Sequence, residues 1–543
     1  MTLVCVPLLV HDIDAALADA AAARAAGADL VEFRIDELFA GHDPLTEAQV
    51  LRLPVESPLP CVVTCRASAE GGGYDGPEAD RVALYERLGN AFGPGEAPPR
   101  FLDLELASWE RSANLRQKVR LAIDHPEQQR DLKTSLILSM HDFQGRPADL
   151  HRRVARLAAE ADAAVVKVAY RARSLRDAIE ILDLPAMLRR PMIALGIGEF
   201  GLMTRVLAPK FGGFLTFASL RPAAATAPGQ PTIADLLGLY RFREIGPGTA
   251  LYGVIGWPVG HSRSPVLHNR GFAHAAIDAV YLPLPIAAGD DPEAAYLSFK
   301  ATVLELIAHK GLGFRGASVT LPHKESLVRL ALEQGWALDG VSAALGAANT
   351  LKIQRTPSGE VASVAVFNTD APALRDELSA LCGTLRGRTV VVVGAGGTAR
   401  AAVWAAQDLG APVVIVNRTE SHARALAASI GGDIRVASAP PWDQPIGAII
   451  NATPVGMAGG PAPGSLPVEL ADNIAAPPPA ILDTVYNPAI TPLVSLARSR
   501  GWPASGGMGM FVRQARAQFR HWTGSEAPTG LFESLLESPD AAP

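Results

Sequence analysis

The stretch RTVVVVGAGGTARAAVWAAQDLG (388–410) decides the fold of the second half of the chain. Residues 389–393 are a β-branched apolar run, long enough for one buried strand. Gly394, Gly396 and Ala399 follow at G-x-G-x-x-A spacing, and an Ala-rich helical segment then runs to Gly410. Strand, glycine turn and helix in that order open a dinucleotide-binding unit. The glycines permit a tight turn and close backbone approach, and the helix N-terminus faces a pyrophosphate. An ordinary glycine turn can carry the same letters, but the flanking strand and helix favour the nucleotide reading. Gly394, Ala395, Gly396, Gly397, Thr398 and Ala399 are therefore the expected cofactor contacts. The next apolar run, PVVIV (412–416), ends in Asn417, Arg418 and Thr419. An NAD site usually places Asp or Glu there. An acidic group repels a 2′-phosphate and Arg418 attracts one, so NADP is expected over NAD. The bland alternative is a solvated loop cation.

Working outward toward the N-terminus, the rhythm changes. Apolar runs near 2–10, 28–34, 60–65, 101–106, 134–140, 163–169, 191–197 and 213–219 alternate with helical patterns such as 12–28 and 146–162. Strands alternating with helices imply parallel pairing with right-handed crossovers. Eight such units in this span match a closed (β/α)8 barrel of about 250 residues. RFREIGPGTA (241–250) reads as a short linker, and a second α/β pattern begins at LYGVIGW (251–257). The polar tail after 523 is expected to fray.

Composition narrows the function class. With 49 basic against 55 acidic residues the net charge is −6, which offers no electrostatic case for nucleic acid. Four cysteines in 543 residues cannot form a disulfide framework and fit a reducing cytoplasm. No apolar run reaches membrane-spanning length, and the N-terminus lacks a basic region ahead of Asp12 and Asp14, so neither a membrane span nor a signal peptide is expected. No metal-ligand spacing stands out.

Two lysines carry chemistry. In AAVVKVAY (163–170) Lys167 interrupts a strand expected to be buried on both faces, where a solvated lysine fits poorly. A structural ion pair with Asp103 or Glu105 competes with the functional reading. A desolvated lysine loses proton affinity, becomes a nucleophile and can form an imine with a ketone. Glu32, Arg34, Arg66 and His141 fall at the carboxyl ends of the same strand set, the end where barrel active sites collect. His141, beside an amine nucleophile, is the natural general base and acid. In the second half, ASVTLPHKE (317–325) places Pro322 and Lys324 in the first turn of a helix, and FNTDAP (367–372) places Asp370 ahead of another. Lys324 there opposes the helix dipole, and Asp370 alone reads as an N-cap. Together, a lysine depressed by a positive environment and an orienting carboxylate make a proton-transfer pair for ketone reduction.

GVIGWPVGHSRSPVLHN (253–269), SVTLPHK (318–324), GAANT (346–350), FNTD (367–370), GAGGTAR (394–400), NATPVGM (451–457) and GMGMFVRQA (507–515) occur in the order seen in shikimate dehydrogenases. The second half resembles that family. The resemblance implies that Ser262 and Ser264 hold the substrate carboxylate and that Thr320, Asn349, Asp370 and Gln514 hold its hydroxyls. It also implies that Lys324 and Asp370 are the catalytic pair, that Tyr486 lies near the substrate, and that Met457 belongs to the cofactor site. Ser318 stands where many bacterial members carry Asn, and His422 where the loop after NRT often carries Lys or Arg. The first half resembles type I 3-dehydroquinate dehydratase through EFRID (32–36), TCRASAEGG (64–72), SMHDF (139–143), VKVAY (166–170), MTR (203–205) and TFASL…TAPGQ (216–230). That resemblance implies that Lys167 forms the imine, His141 shuttles the proton and Glu70 orients His141. Glu32, Arg34, Arg66, Arg205, Thr226 and Gln230 then bind substrate, with Arg205 as carboxylate clamp. Thr226 and Thr204 replace the family's usual serines, and both keep a hydroxyl.

The expected architecture is α/β. A barrel over 1–240 precedes a substrate-binding domain at 250–371 and a Rossmann-type NADP domain at 372–485. A segment at 486–522 returns to the substrate domain, and 523–543 is a flexible tail. The expected function is the two-step conversion of 3-dehydroquinate to 3-dehydroshikimate and then to shikimate, by a chain that can act as a monomer. The rivals are a catabolic quinate/shikimate dehydrogenase and a metabolite-sensing regulator. A regulator should have lost Lys167, His141, Lys324 or Asp370, and all four are present.

Overall fold

The computed structural model describes residues 1–39, 44–90, 97–124, 133–289, 291–471 and 477–537. Contacts divide the chain into two compact units, Met1–Ala250 with Asp278–Ile286, and Leu251–Ile277 with Ala287–Pro543. The chain thus turns over between units at 250, as the second α/β rhythm begins.

The first unit contains β1 (Leu3–Leu9), β2 (Leu30–Arg34), β3 (Cys61–Thr64), β4 (Phe101–Glu105), β5 (Ser135–Asp142), β6 (Ala163–Arg171), β7 (Met192–Ile197) and β8 (Leu215–Phe217). Their order is β7-β6-β5-β4-β3-β2-β1-β8, and each strand pairs parallel with its neighbours in that order. Across the remaining seam, Phe214 N donates to Met192 O at 2.8 Å, so the sheet nearly closes on itself. All eight apolar runs of the sequence correspond to these strands. Inside, Cys5, Leu30, Val62, Phe101, Ile137, Val165, Ile193 and Phe217 form one cluster. Val165 and Ala169 both belong to that interior, so the two-residue period of a strand puts Lys167 there too.

The segment 241–250 is not a free linker. Phe242 and Ile245 are buried, and Lys210 Nζ donates to Pro247 O at 2.7 Å and Thr249 O at 2.8 Å. Gly-Pro-Gly punctuation identifies the break in regular structure but is silent on packing.

The chain continues through β9 (Ala250–Gly256), β10 (Ala279–Pro285), β11 (Phe314–Val319), β12 (Ala337–Leu338), β13 (Thr350–Arg355) and β14 (Val361–Phe367). In the second unit β11 pairs parallel with β9 and antiparallel with β13, which pairs antiparallel with β14. β15 (Thr389–Val393), β16 (Val413–Val416), β17 (Ile434–Ala437), β18 (Ile446–Asn451), β19 (Ala480–Asp483) and β20 (Ala504–Ser505) form a parallel sheet ordered β17-β16-β15-β18-β19-β20. Counted from β15 this is the 3-2-1-4-5-6 order of a dinucleotide-binding sheet, whose crevice lies beyond the carboxyl end of its first strand. The helix Met508–Thr523 returns to the other sheet, where Trp522 Nε1 donates to Leu351 O at 2.9 Å.

The tail expectation needs correction. Residues Leu531–Glu537 form a helix, and Phe532 is fully buried, with its ring against Phe519 and His268. Residues 538–543 of that expected tail lie outside the described residues.

Candidate active sites

Residues at the carboxyl ends of the parallel barrel strands converge into one polar cluster. Lys167 is 5% exposed, with Nζ 2.9 Å from Asp103 Oδ2, 3.5 Å from Glu32 Oε1 and 4.7 Å from the centre of the Phe217 ring. The structural ion pair anticipated for this lysine is therefore real. Asp103 is shared: Arg66 Nη2 reaches its Oδ1 at 2.7 Å and Ser139 Oγ donates to the same atom at 2.6 Å. Burial pushes the Asp103 carboxyl up, but Arg66 and Lys167 outweigh it and hold it far below the usual carboxylate range.

His141 and Glu70 form a dyad. Glu70 Oε2 accepts the His141 backbone N–H at 2.8 Å and lies 3.0 Å from Nδ1. Glu70 sits on the turn Ser68–Glu70, and two glycines let that turn fold back. Gly71 has φ +79°, and a Cβ there would lie 2.3 Å from the Phe143 ring; a Cβ on Gly72 would lie 2.0 Å from Arg66 O. Burial raises the Glu70 carboxyl to about 7, against the pull of Arg66. Burial, Arg66 and Lys167 together hold His141 well below its ordinary value, so the resting imidazole is neutral.

Arg205 stands apart from the other cations. It is 3% exposed, its Nε has no hydrogen-bond partner, and its nearest acceptors are the Phe217 and Gly196 carbonyls at 3.5 and 3.4 Å. No carboxylate among the described residues pairs with it. Burial alone lowers it to about 10. Gln230 Oε1 accepts from Thr226 N at 3.0 Å and Thr226 Oγ1 at 3.2 Å, while its Nε2 is buried without a partner. Arg66 differs from the expected open substrate contact, because Asp103, Glu105 and Ser139 occupy its fork. Arg34 is likewise engaged, by Asp36 at 2.9 and 3.0 Å.

In the second unit Lys324 Nζ lies 2.6 Å from Asp370 Oδ2. Lys324 opens the helix Lys324–Gln334, so Pro322 precedes that helix rather than lying within it. Asp370 is not a cap. It is the first residue of the helix Asp370–Cys382, and Asn368 Oδ1 takes the Ala371 N–H at 3.0 Å in its stead, leaving the Asp370 carboxylate for the lysine. Ser264 opens the helix Ser264–His274, with its N–H on Ser262 Oγ at 3.3 Å. Asn349 is held by Thr369 and Thr350, Gln514 Nε2 donates to Phe511 O at 3.0 Å, and the Tyr486 ring stacks on Phe511 with centroids 4.6 Å apart. Thr320 follows β11, its N–H on Ile255 O at 2.8 Å. Ser318 is tied to Gln518 at 2.7 Å, and Gln518 Nε2 reaches Asn349 O at 3.2 Å.

The glycine turn fits a dinucleotide. Gly394 has φ +118°, and a Cβ there would meet Ala452 O at 2.8 Å. A Cβ on Gly396 would meet nothing within 4 Å, so open space faces the N-terminus of the helix Gly397–Asp408, a ready anion site. A Cβ on Gly397 would lie 3.8 Å from Lys324 Cδ, so the turn runs beside the lysine–aspartate pair. Arg418 is exposed and pairs with no carboxylate among the described residues, whereas Arg424 is held by Glu420. Asn417 Nδ2 is engaged by Thr419 O at 2.8 Å, and Met457 is 38% exposed. His422 is exposed in the first turn of the helix Glu420–Ile430 rather than on the loop before it. Among the described residues there is no cluster able to hold a metal ion, and no helix long and apolar enough to cross a membrane.

The chloroplastic bifunctional 3-dehydroquinate dehydratase/shikimate dehydrogenase of Arabidopsis thaliana is 34% identical over 98% of this chain and 84% of its own length. The chain belongs to this bifunctional family. Its type I 3-dehydroquinase region matches residues 4–247 and its shikimate dehydrogenase substrate-binding domain 254–351. The shikimate/quinate 5-dehydrogenase model matches 377–444 and the shikimate 5′-dehydrogenase C-terminal domain 507–537. A shikimate dehydrogenase (NADP(+)) of Anaeromyxobacter dehalogenans is 40% identical over 54% of this chain and 98% of its own. The solved dehydroquinate dehydratase and shikimate dehydrogenase from S. pombe AroM is 23% identical over 99% of this chain and 97% of its own, with TM-score 0.41.

Within this bifunctional dehydratase–dehydrogenase, sequence reasoning missed the supports of each site. Ser139 donates to Asp103, Asn368 and Thr369 bond Ala371 N and Asn349, and Gln518 ties Ser318 to Asn349; the first three lie inside the motifs SMHDF and FNTD, which do not tell what each residue bonds, and Gln518 lies outside every motif. The signal available was parity: Ser139 lies two residues from His141 on β5 and so shares its face.

Proposed function

We propose that the barrel dehydrates 3-dehydroquinate through an imine on Lys167 and that the second unit reduces the resulting 3-dehydroshikimate to shikimate with NADPH. The observation that carries the first half is a lysine amine held 2.9 Å from Asp103 in the barrel interior beside a neutral histidine dyad. Lys167 Nζ attacks the ring ketone, and water is lost to give the protonated imine. The imine carbon withdraws electrons, His141 takes the proton from the adjacent carbon, and the β-hydroxyl leaves as water with a proton returned by His141. Hydrolysis of the imine frees Lys167 and the enone. Glu70 accepts the Nδ1 proton of His141 and so keeps Nε2 available as the base. Arg205, a buried cation without a carboxylate of its own, receives the substrate carboxylate, with Gln230 and Thr226 beside it. Glu32, Arg34 and Arg66 complete the polar wall.

In the dehydrogenase half, Ser262 and Ser264 receive the carboxylate, while Thr320, Asn349, Tyr486 and Gln514 surround the ring. The Gly394–Ala399 turn with Asn417, Arg418, Thr419 and Met457 would hold NADPH, which when bound would supply a hydride for the carbonyl carbon. Lys324 Nζ, oriented by Asp370 Oδ2 at 2.6 Å, gives the proton to the carbonyl oxygen. Exposed, unpaired Arg418 and the absence of an acidic residue at 417–419 support NADPH over NADH.

We divide the chain into a dehydratase barrel at 1–240, dehydrogenase regions at 250–371 and 372–485, and a returning segment at 486–522. Every group invoked comes from this one chain, so a monomer suffices, and neither nucleic acid nor membrane is part of the proposal. Four free thiols suit a reducing compartment such as the cytoplasm. Borohydride added with dehydroquinate should trap a secondary-amine adduct on Lys167, read by peptide mass. An unmodified Lys167 under turnover conditions rejects the imine.

A further inference from the structure

Resting on the reading of Ser262 and Ser264 as carboxylate ligands, we propose that Arg263 between them is a specificity-determining residue, the cation that receives the carboxylate of the cyclic acid in the dehydrogenase half. Ser262 fixes the turn by accepting the Ser264 N–H, and Ser264 begins the helix Ser264–His274. Arg263 lies between them at the N-cap position. Its Nε is buried without a hydrogen-bond partner, and no carboxylate among the described residues pairs with it. Its Nη2 meets Leu536 O only at 3.5 Å, the limit of a hydrogen bond. Its charge acts on the phenol of Tyr486, a residue assigned to the substrate site.

The Arg263 guanidinium is half-buried, with its Nε out of water and no carboxylate counter-ion among the described residues. That is unfavourable until an anion arrives, and a carboxylate matches its fork with two parallel hydrogen bonds. Lys324, the other cation near the site, is committed to Asp370 and to proton transfer. Two neutral serine hydroxyls fix the position of a carboxylate but do not offset its charge. Arg263 does, and it selects the acid over a neutral analogue of the same shape. The same logic operates in the barrel, where Arg205 is the buried cation without a carboxylate partner.

The competing role is a strap, with Arg263 holding the terminal helix through Leu536 O. Steady-state oxidation of shikimate and of its methyl ester by the full chain, wild type against Arg263→Gln and Arg263→Lys, separates the two. For the acid, Arg263→Gln should raise KM about 10- to 100-fold, the scale of a lost charge-assisted pair, with kcat changing much less. For the ester, the variant and the wild type should agree within about twofold, and Arg263→Lys should fall between wild type and Arg263→Gln for the acid. An equal rise for acid and ester, or no rise for either, overturns the proposal in favour of the strap. If Arg263→Gln does not fold, as judged by its melting curve, Arg263→Lys carries the same acid–ester comparison. Ser264→Ala is measured alongside. If it leaves the acid KM unchanged while Arg263→Gln raises it, the serine reading has failed and the charge assignment has not.

Discussion

At the scale of single residues, the Glu70–His141 dyad sets the direction of pH dependence. Ionised Glu70 accepts the Nδ1 proton and leaves the Nε2 lone pair free; protonated Glu70 donates to Nδ1 and fixes the ring hydrogen on Nε2, which disables the base. Burial raises this carboxyl to about 7, so dehydration should increase as pH rises through about 7 and fall on the acid side. Glu70→Gln should remove that limb and lower kcat by about 10²-fold; an unchanged limb in the variant assigns it to another group. Asp370→Asn should lower reduction of added dehydroshikimate by about 10²- to 10⁴-fold while dehydration persists, as followed by NADPH oxidation and enone absorbance. Lys167 was legible because a lysine in an apolar strand is an exception that needs a reason. The clamp on Arg66 was not, because a sequence names carboxylates such as Asp103 and Glu105 without saying which guanidinium they will reach.

At the scale of elements, the strands were legible because parallel strands buried on both faces read as continuous apolar runs. What the sequence hid was packing at the ends of the units. The polar TGSEAPTG stretch at 523–530 masked the apolar pairs Leu531–Phe532 and Leu535–Leu536, whose four-residue spacing forms one face of the last helix. Phe532 is fully buried beside Phe519 and His268, so Phe532→Ala should cost about 3–5 kcal/mol, read as a loss of thermal stability. An unchanged melting curve would detach that helix from the core. The nucleotide loop gives the opposite kind of element, exposed and specific. Arg418→Asp should weaken NADPH binding by about tenfold or more and narrow its advantage over NADH, because an acidic side chain repels the 2′-phosphate. Equal NADPH affinity in the variant returns Arg418 to the solvated surface.

For the whole molecule, the two chemistries need no shared residue. Lys167 and His141 lie in one compact unit, and Lys324 and Asp370 in the other. A net charge of −6 excludes little about the sites themselves, since the proposed anion contacts are local cations, Arg205 in one unit and Arg418 in the other. The two steps are joined by a small cyclic acid whose carboxylate each proposed site would receive, and nothing in either proposed mechanism requires it to stay bound. Lys167→Ala and Asp370→Asn chains, each inactive alone with dehydroquinate and NADPH, should therefore oxidise NADPH when mixed, after a lag while dehydroshikimate accumulates. The lag should shorten in proportion to the amount of the Asp370→Asn chain, which makes the intermediate, and vanish when dehydroshikimate is added. Failure of the mixture, with each variant still active in its own half-reaction, would mean that the intermediate does not escape from the chain that forms it.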